Sequence, residues 1–411
     1  MKRLGLGLLL LSACSSQGGA RPTESSTSGE PPAMQQAPAP RGPCDDVLAD
    51  IGVPAETPLK ACSTTKADAR CLPEADLHRL GVAYSGYRVG EAPRSATYPT
   101  PDEIREDLGI LLKRGYSLIR LFDSSEHAAR VLQVIKDDGL DIKVQLGIWI
   151  GGDKAAHDEA NQADIVRGVA FAQNFADIII GVSVGNETLD DWSSVHTPAA
   201  DLADYITQVR GLVAQPVTTD DMYPPYEMGG VYTDVSKVVD AIDYVSLHIY
   251  AFIDAQWSWD YQQLGTPAGP AREQAMMQAG FDFTKLAVQT VRAALVAHGA
   301  DLPIVIGEAG WKSSPTKAGE SGEQYRAHPL NQQQFYRAFM SWVAGPTRDQ
   351  DSPEAAMYFA AFDEPWKGPD DGWGLFDVAR HPKFVISCSY PDLIPAGPTE
   401  YKPEDAVYYN Q

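Results

Sequence analysis

Two glutamates, each directly following a run of apolar residues, are the side chains in this sequence best placed to do chemistry. Glu187 ends the run Gly181-Val-Ser-Val-Gly-Asn-Glu187, and Glu308 lies within Ile304-Val-Ile-Gly-Glu-Ala-Gly-Trp311. Runs rich in β-branched residues predict strands buried on both faces, so each glutamate is expected at the C-terminal end of a strand. A single glutamate there is more often a cap or an ion-pair partner. Two such ends, each with glycine beside the carboxyl group, favour a pair of carboxyl groups that cleaves a glycosidic bond.

The segments around these glutamates alternate between strand-like and helix-like patterns. Strands are expected at 80–84, 117–122, 142–150, 178–184, 216–219, 244–250, 303–306 and 357–362. Helices are expected between them, among others at 101–113, 125–136, 199–213, 283–298 and 331–343. Because the strands are eight in number and no G-x-G-x-x-G loop is present, we predict an α/β fold, a closed (β/α)8 TIM barrel, in preference to an open doubly wound sheet. Both glutamates would then meet at one face of the barrel.

The first residues are typical of a targeting signal and not of a folded element. Positive charge at Lys2 and Arg3 precedes an apolar stretch that ends at Cys14, a pattern that resembles the lipobox of bacterial lipoproteins. That resemblance implies cleavage before Cys14, lipidation of its thiol and new amino group, and a lipid-anchored protein of the cell envelope, at the outer membrane or cell surface. The domain prediction is a signal peptide (1–13), a flexible Ser/Pro/Gly/Ala tether (14–43), a Cys-containing segment (44–78) and one catalytic domain with a C-terminal extension (79–411).

Charge and cysteine content narrow the class of partner. The formal net charge of −22 argues against nucleic acid as a partner, whereas a neutral polysaccharide is not repelled. No C-x-x-C pair or histidine cluster predicts a metal site, and we expect no cofactor. Four cysteines besides Cys14 allow three disulfide connectivities, and we hypothesise a bridge from the N-terminal segment to Cys388. The four are Cys44, Cys62, Cys71 and Cys388.

From about residue 81 to 376 the chain resembles glycoside hydrolase family 17, a family of retaining β-1,3-glucanases with a (β/α)8 barrel. The matching stretches are Gly81-Val-Ala-Tyr-Ser-Gly-Tyr87, Ile119-Arg-Leu-Phe-Asp123, Val182-Ser-Val-Gly-Asn-Glu187, Val305-Ile-Gly-Glu-Ala-Gly-Trp311 and Ala361-Phe-Asp-Glu-Pro-Trp-Lys367. The resemblance implies that Glu187 is the general acid/base and Glu308 the nucleophile. Phe122, Ala309 and Lys312 depart from the family pattern, but none of these departures removes a catalytic group.

The implied reaction is double displacement through a covalent glycosyl-enzyme, with Glu187 expected to be neutral because of partial burial and a nearby negative charge. Arg120, Asn186 and Tyr250 are the candidates for orienting the two glutamates. Aromatic side chains after strand ends are candidates for packing on sugar rings. These are Tyr84, Trp149, Tyr223, Trp311 and Trp366. Glu364 is expected to support sugar binding, although a catalytic role for it is a rival interpretation.

Three functional alternatives stay open from the sequence. Hydrolysis of β-1,3-glucan is the main prediction, and transfer of a glucanosyl unit to another glucan uses the same two glutamates. A surface lipoprotein that binds glycan without turnover is the alternative from another class. The segment 252–281 is long for a loop after the sixth strand, and by restricting the cleft it would favour attack from a chain end. The sequence does not choose between endo and exo action.

Overall fold

The structure, a computed structural model, describes residues 58–93, 95, 97–228, 234–258, 270–314 and 326–402. Parallel strands follow one another around a closed barrel in chain order, with the last paired to the first. The strands are β1 (Leu80–Ala83), β2 (Tyr116–Leu121), β3 (Lys143–Ile148), β4 (Ile179–Asn186), β5 (Val217–Met222), β6 (Val245–His248), β7 (Ile304–Ala309) and β8 (Ala356–Tyr358). The predicted (β/α)8 barrel is confirmed.

Helices surround this barrel. They are α1 (Glu74–Leu77), α2 (Pro101–Leu112), α3 (Glu126–Asp137), α4 (Lys154–Asn174), α5 (Ala199–Arg210), α6 (Ser236–Ala241), α7 (Ala251–Ser258), α8 (Pro270–His298) and α9 (Pro329–Ala344). The predicted loop at 252–281 is wrong where the structure describes it, because α7 and the first part of α8 occupy it. Residues 259–269 of that segment lie outside the described residues.

Local sequence sets where the helices begin. Thr100 caps α2 by accepting a hydrogen bond from the backbone N–H of Glu103, whose carboxylate accepts one from the N–H of Thr100 at 2.8 Å. Pro101 occupies the first helical position, where its missing N–H costs nothing. This cap satisfies backbone N–H groups that the first turn of α2 would otherwise leave without partners, and it fixes where the helix begins.

Residues 58–79, called the strap below, close the N-terminal end of the barrel. Leu72 and Leu77 are each 5% exposed and belong to one apolar cluster with Leu118, Tyr244 and Val305 at the starts of the strands. Burying these side chains removes apolar surface from water at about 25 cal/mol per Å². In the part of the chain that the structure describes, these side chains cover the N-terminal end of the barrel.

A disulfide joins Cys62 to Cys71 within the strap. Cys388 is also disulfide-bonded, to a partner outside the described residues. The hypothesised bridge from the N-terminal segment to Cys388 is therefore wrong for Cys62 and Cys71 and stays a prediction for Cys44. The proposed signal and tether, with Cys14 and Cys44, lie outside the described residues. Across the described part of the chain, no helix combines the length and apolar character that crossing a membrane requires.

Candidate active site

The end of β4 is bent so that two consecutive side chains enter the same cleft. The β4–β5 register shifts between Ser183 and Asn186, and Gly185 adopts a φ of 94°. Glu187 has a φ of 51°, and its N–H donates to the carbonyl oxygen of Asp220 at 2.9 Å. In a regular strand, neighbouring side chains point to opposite faces. Because of this irregularity, Asn186 and Glu187 both line the cleft.

Glu308 enters the cleft from the end of β7 and is only 4% exposed. The residue before it is a glycine for a spatial reason. A Cβ atom on Gly307 would lie 2.6 Å from Ser246 Oγ and 2.7 Å from Asp220 Oδ1. Contacts that short do not occur, so only glycine lets strands β5, β6 and β7 converge here around Glu308.

Arg120, on β2, ties three cleft residues together. Its Nε donates to Asp220 Oδ2 at 2.7 Å, and its two terminal nitrogens donate to Glu308 Oε1 and Asn186 Oδ1, each at 2.5 Å. Although burial alone would lower the pKa of this guanidinium, the carboxylates of Asp220 and Glu308 raise it above its ordinary value. Arg120 is therefore a fixed positive charge next to Glu308.

Tyr250 completes the hydrogen bonding of Glu308. Its hydroxyl donates to Glu308 Oε2, so that both oxygens of this carboxylate accept hydrogen bonds. The Tyr250 ring packs edge-on against Trp373 and Phe359, with centroids 5.2 and 5.8 Å away. These contacts fix the orientation of the hydroxyl group, and with it that of Glu308.

His248, on β6, lies between the two glutamates. Its Nδ1 is 2.9 Å from Glu187 Oε1, and its Nε2 is 3.6 Å from Glu308 Oε1. Burial lowers the pKa of His248, but Glu308 and the hydrogen bond with Glu187 outweigh it and raise the pKa above its ordinary value. Burial raises the pKa of Glu187, but the hydrogen bond from His248 and the positive charges of His248, Arg120 and Lys367 together outweigh burial and lower it. We therefore describe Glu187 and His248 as one ion pair that holds a single proton.

This result corrects the expectation that Glu187 is neutral in the free protein. The expected negative neighbour is present, but the sequence prediction did not include a histidine in contact with Glu187. Burial favours the neutral acid, but the charge-assisted hydrogen bond at 2.9 Å and the positive charges of His248, Arg120 and Lys367 together favour the ionised carboxylate more strongly. In the free protein the shared proton is therefore favoured on His248.

One ligand-type atom from each of Glu187, His248 and Glu308 lies within 4.8 Å of the others. Such a cluster is compatible with a metal ion by spacing alone. However, both oxygens of Glu308 already accept hydrogen bonds from Arg120 and Tyr250, and the guanidinium would repel a cation. The donor set fits an acid–base and nucleophile arrangement better than a metal centre.

The cleft is a cavity of about 1040 Å³ at the C-terminal face of the barrel. Among the residues predicted from the sequence, those that line it are Trp149, Asn186, Glu187, Tyr250, Glu308, Glu364 and Trp366. Glu364 accepts a hydrogen bond from the Ser85 hydroxyl and forms an ion pair with the Lys367 ammonium, both at 2.7 Å. Glu364 is therefore held by its neighbours at the edge of the site, as expected for a supporting residue.

Three predicted sugar-binding aromatics do not line the cavity. Tyr84 is fully buried and donates its hydroxyl to Asp107 at 3.0 Å. Trp311 is also fully buried, and its indole N–H donates to the Arg326 carbonyl oxygen at 2.9 Å. Tyr223 is half-buried, packs edge-on against Phe283 and is not among the residues that line the cavity. For the fully buried Tyr84 and Trp311, the prediction of sugar contact is corrected to packing, and for Tyr223 it stays a prediction.

Sequence reasoning missed His248, Asp220, Asp190 and Trp192. His248 had a detectable signal, because it lies two residues before Tyr250 and side chains two apart in a strand share a face. Asp220 stands at the end of β5 within Thr-Thr-Asp-Asp, a polar run where an apolar strand was expected. Asp190 and Trp192 follow Glu187 in a loop, where no periodic pattern indicates direction.

Comparisons with known proteins identify the family to which this chain belongs. The family model for the BtgE/BtgC glycoside hydrolase domain matches residues 81–376. The chain belongs to this glycoside hydrolase family. The predicted enzyme class, an O-glycosyl hydrolase, is thereby confirmed. A relative from Arthroderma benhamiae, named glucan 1,3-beta-glucosidase, is 26% identical over 320 residues, which cover 74% of this chain and 90% of the relative. Aspergillus relatives whose names carry btgC are longer, and the match spans 42–45% of their length.

Solved structures show the same fold for this BtgE/BtgC family member. An endo-laminarinase from Formosa Hel1_33_131 superposes with a TM-score of 0.68 at 24% identity, covering 78% of this chain and 90% of that one. A glycoside hydrolase family 17 β-1,3-glucanosyltransferase from Rhizomucor miehei gives a TM-score of 0.53 at 23% identity, covering 76% and 97%. The predicted resemblance to family 17 is therefore confirmed in its coarser form, as membership of a related glycoside hydrolase family.

Proposed function

We propose that this protein cleaves β-1,3-glucan with retention at the anomeric carbon, using Glu187 as acid/base and Glu308 as nucleophile. The observation that carries the proposal is the spacing of these side chains, with one oxygen of each within 4.8 Å of the other. Retaining glycosidases hold their two carboxyl groups about 5–5.5 Å apart, whereas inverting enzymes leave about 6.5–9.5 Å for a water molecule. The short separation favours direct attack by one carboxylate on the sugar.

The surroundings of Glu308 suit a nucleophile. Arg120 and Tyr250 each donate to one of its oxygens, so the carboxylate is held in one rotamer and its negative charge is stabilised. An oxygen of Glu308 forms a bond to the anomeric carbon as the glycosidic C–O bond breaks and its electron pair moves to the leaving oxygen. Tyr250 can then turn its hydrogen bond toward the ring oxygen or the ester oxygen as the carboxylate loses charge.

The Glu187–His248 pair supplies the proton for the leaving oxygen. As negative charge develops on that oxygen, the proton held across the 2.9 Å hydrogen bond moves from His248 to Glu187 and on to the departing sugar. Glu187 is 39% exposed in its side chain, enough to contact substrate, whereas His248 is fully buried. In the second step Glu187 takes a proton from water or a sugar hydroxyl, which attacks the anomeric carbon and releases Glu308 with net retention.

The choice of β-1,3-glucan as substrate rests on the relatives and on the chemistry of the cleft. The Arthroderma benhamiae relative is named for glucan 1,3-beta-glucosidase activity, and the Rhizomucor miehei glucanosyltransferase has been solved with laminaritriose. Trp149 and Trp366 line this cleft and offer flat apolar faces for the C–H faces of sugar rings. A neutral glucan also suits a protein with a formal net charge of −22.

Chemical rescue by azide tests the two roles separately. In Glu308→Gly, azide replaces the missing nucleophile from the opposite face and gives a glycosyl azide of inverted configuration. In Glu187→Ala, azide attacks the glycosyl-enzyme and gives a retained product. Glu126→Gln, an exposed change on α3, serves as the matched control and should behave as wild type. Exchanged azide products would reverse the assignment, and full activity of either variant would remove that glutamate from catalysis.

Binding of glycan without turnover is the competing function. The two carboxyl groups, their spacing and the donors on Glu308 all favour turnover over binding alone. Incubation with laminarin, followed by a reducing-end assay and mass analysis of products, separates the candidates. Release of shorter sugars indicates hydrolysis, products longer than the starting oligosaccharide indicate transfer, and no product on any β-glucan would favour binding.

For localisation we propose a lipid anchor at Cys14 that keeps the catalytic domain in the cell envelope. Support comes from the short apolar run after Lys2 and Arg3 that ends in Leu11-Ser-Ala-Cys14. Intact mass of the membrane-extracted protein should carry a lipid increment, and Cys14→Ser should lack it. A variant mass that still contains lipid would reject this site.

A further inference from the structure

The cleft has two walls that differ in character. Strands β8, β1 and β2 are neighbours in the barrel and supply one wall, while β4, β5 and β6 supply the opposite one. The loop after β4 contributes Asp190 and Trp192 to the cavity surface, and helix α7, which follows β6, contributes Ile253 and Asp254. This second wall, called the β4–β6 wall, adjoins the acid/base Glu187.

Trp192 is the prominent apolar feature of the β4–β6 wall. Its side chain is 68% exposed although it lines the cavity, whereas Trp311 and Trp342 are fully buried. An exposed indole in a cleft offers a flat surface to a ligand, and its burial on binding would release water from a large apolar area. Among the described residues, no aromatic side chain stacks on Trp192.

Asp190 lies two residues before Trp192 and has an unusual environment. It is 1% exposed, and within the described chain both of its carboxyl oxygens are buried without a hydrogen-bond partner, yet it lines the cavity. Its carbonyl oxygen accepts from the N–H of Ser193 at 3.0 Å and lies 3.1 Å from His196 Nδ1, which fixes the loop that carries Trp192. A buried polar group without a partner is costly, so a ligand that supplies the partner is favoured.

Electrostatics agree with a ligand of neutral hydroxyl groups. Burial, with the negative charges of Glu187 and Asp254, raises the pKa of Asp190 to about 7. A carboxyl group that titrates near neutrality can both donate to and accept from a sugar hydroxyl. Asp254, also on this wall, accepts a hydrogen bond from the Tyr250 N–H at 3.3 Å and is thus fixed beside Glu187.

We infer that Trp192 and Asp190 form an acceptor subsite, which binds a glucosyl unit on the leaving-group side of Glu187. This inference rests on the proposed function. The acid protonates the oxygen between two sugars, so the departing sugar lies next to Glu187 and away from Glu308. Trp192 packs on the face of that sugar, and Asp190 hydrogen-bonds one of its hydroxyls.

The same subsite serves the second step. After the first sugar leaves, a new β-1,3-glucan end binds there with a hydroxyl directed at the glycosyl-enzyme. The hydroxyl oxygen bonds to the anomeric carbon, the ester bond to Glu308 breaks, and the hydroxyl proton passes to Glu187. Occupancy of the subsite therefore sets how the intermediate divides between a sugar acceptor and water.

The test uses a donor whose leaving group is not a sugar. Aryl release from 4-nitrophenyl β-laminaribioside reports formation of the glycosyl-enzyme, and mass analysis of products at increasing laminaribiose concentration reports the division between transfer and hydrolysis. In Trp192→Ala the laminaribiose concentration for half-maximal transfer should rise about tenfold or more, and in Asp190→Leu about threefold to tenfold. Trp192→Phe, which keeps an aromatic face, should recover most of the transfer.

Val166→Ala, an exposed change on α4 outside the cleft, is the matched control and should leave the division unchanged. Circular dichroism checks that each variant is folded. If wild type releases no aryl group, the proposed function fails and this inference fails with it. If wild type releases it but forms no transfer product, or if Trp192→Ala divides the intermediate as wild type does, only the acceptor subsite is overturned.

Discussion

Replacing His248 by Asn should remove the histidine that holds the proton for the acid catalyst Glu187. Asparagine keeps a hydrogen-bond donor close to Glu187 but removes the positive charge that lies 2.9 Å from its carboxylate. Two unit charges at such a distance attract by roughly 4–6 kcal/mol at an effective dielectric constant near 20. Carboxylates beside a cation commonly have their pKa lowered by about one to three units. In the variant, the pKa of Glu187 should therefore rise.

The consequence appears in the basic limb of the pH profile. In wild type the pair keeps its proton until His248 loses it, and the pKa of His248 is raised above the ordinary 6.5. In the variant Glu187 holds the proton alone, and the ordinary pKa of a glutamic acid, 4.5, lies below that of histidine. The basic limb of kcat/KM for a laminari-oligosaccharide should shift toward acid, and activity at pH 7 should fall about tenfold or more.

An activated donor makes the test specific to proton supply. Dinitrophenolate leaves without protonation, so a dinitrophenyl β-glucoside should lose much less activity in His248→Asn than the oligosaccharide does. His157→Asn, a half-exposed histidine outside the cleft, is the control. An unshifted basic limb, or equal losses on both donors, would refute the assignment of the proton to the Glu187–His248 pair.

Three further predictions follow from the geometry of the site. Gly307→Ala should abolish most activity, because its Cβ would lie 2.6 Å from Ser246 Oγ and 2.7 Å from an Asp220 oxygen. Kinetics measured beside a thermal melt will distinguish a loss of catalysis from unfolding. An active, stable variant would contradict the close approach. Tyr250→Phe should lower kcat about 100-fold, because the hydrogen-bond donor to Glu308 is lost. The fold should be kept, because the ring contacts with Trp373 and Phe359 remain. A wild-type kcat would count against a role of the Tyr250 hydroxyl in catalysis. Asp190→Asn should stabilise the protein at pH 8 but not at pH 4. Because burial and Glu187 raise the folded-state pKa of Asp190 from 3.8 to about 7, wild type loses stability as pH rises through that range, by up to ~4 kcal/mol. Equal melting temperatures of wild type and Asp190→Asn at pH 8 would argue against a raised pKa of Asp190.

The strands and the two glutamates were predictable because their signal is local. Eight apolar runs gave eight strands within a few residues, and Glu187 and Glu308 ended two of them. Strand order then placed both at one face of the barrel, where parallel strands end together. The start of α2, capped by Thr100, was likewise predictable from the sequence.

The predictions that the structure corrected depend on contacts across the barrel. Trp311 and Trp366 both follow a strand end, yet Trp311 is fully buried and Trp366 is 39% exposed. Nothing in the neighbouring sequence distinguishes an aromatic that packs under the cleft from one that lines it. The state of Glu187 was predicted wrongly for a similar reason, because it is set by His248, which comes from another strand.

The strap that closes the barrel also determines how the protein responds to force. Its Lys66 donates to the carbonyl oxygen of Asp240, and its Arg70 donates to that of Val213, at 2.7 and 2.8 Å. Tension applied at residue 58 would first load the contacts of Lys60 with Glu354 and Asp301. The Cys62–Cys71 bond would carry it past Lys66 and Arg70 to the Leu72 and Leu77 plug, at the face opposite the cleft. The catalytic face would be mechanically shielded while the polymer substrate is being pulled or sheared.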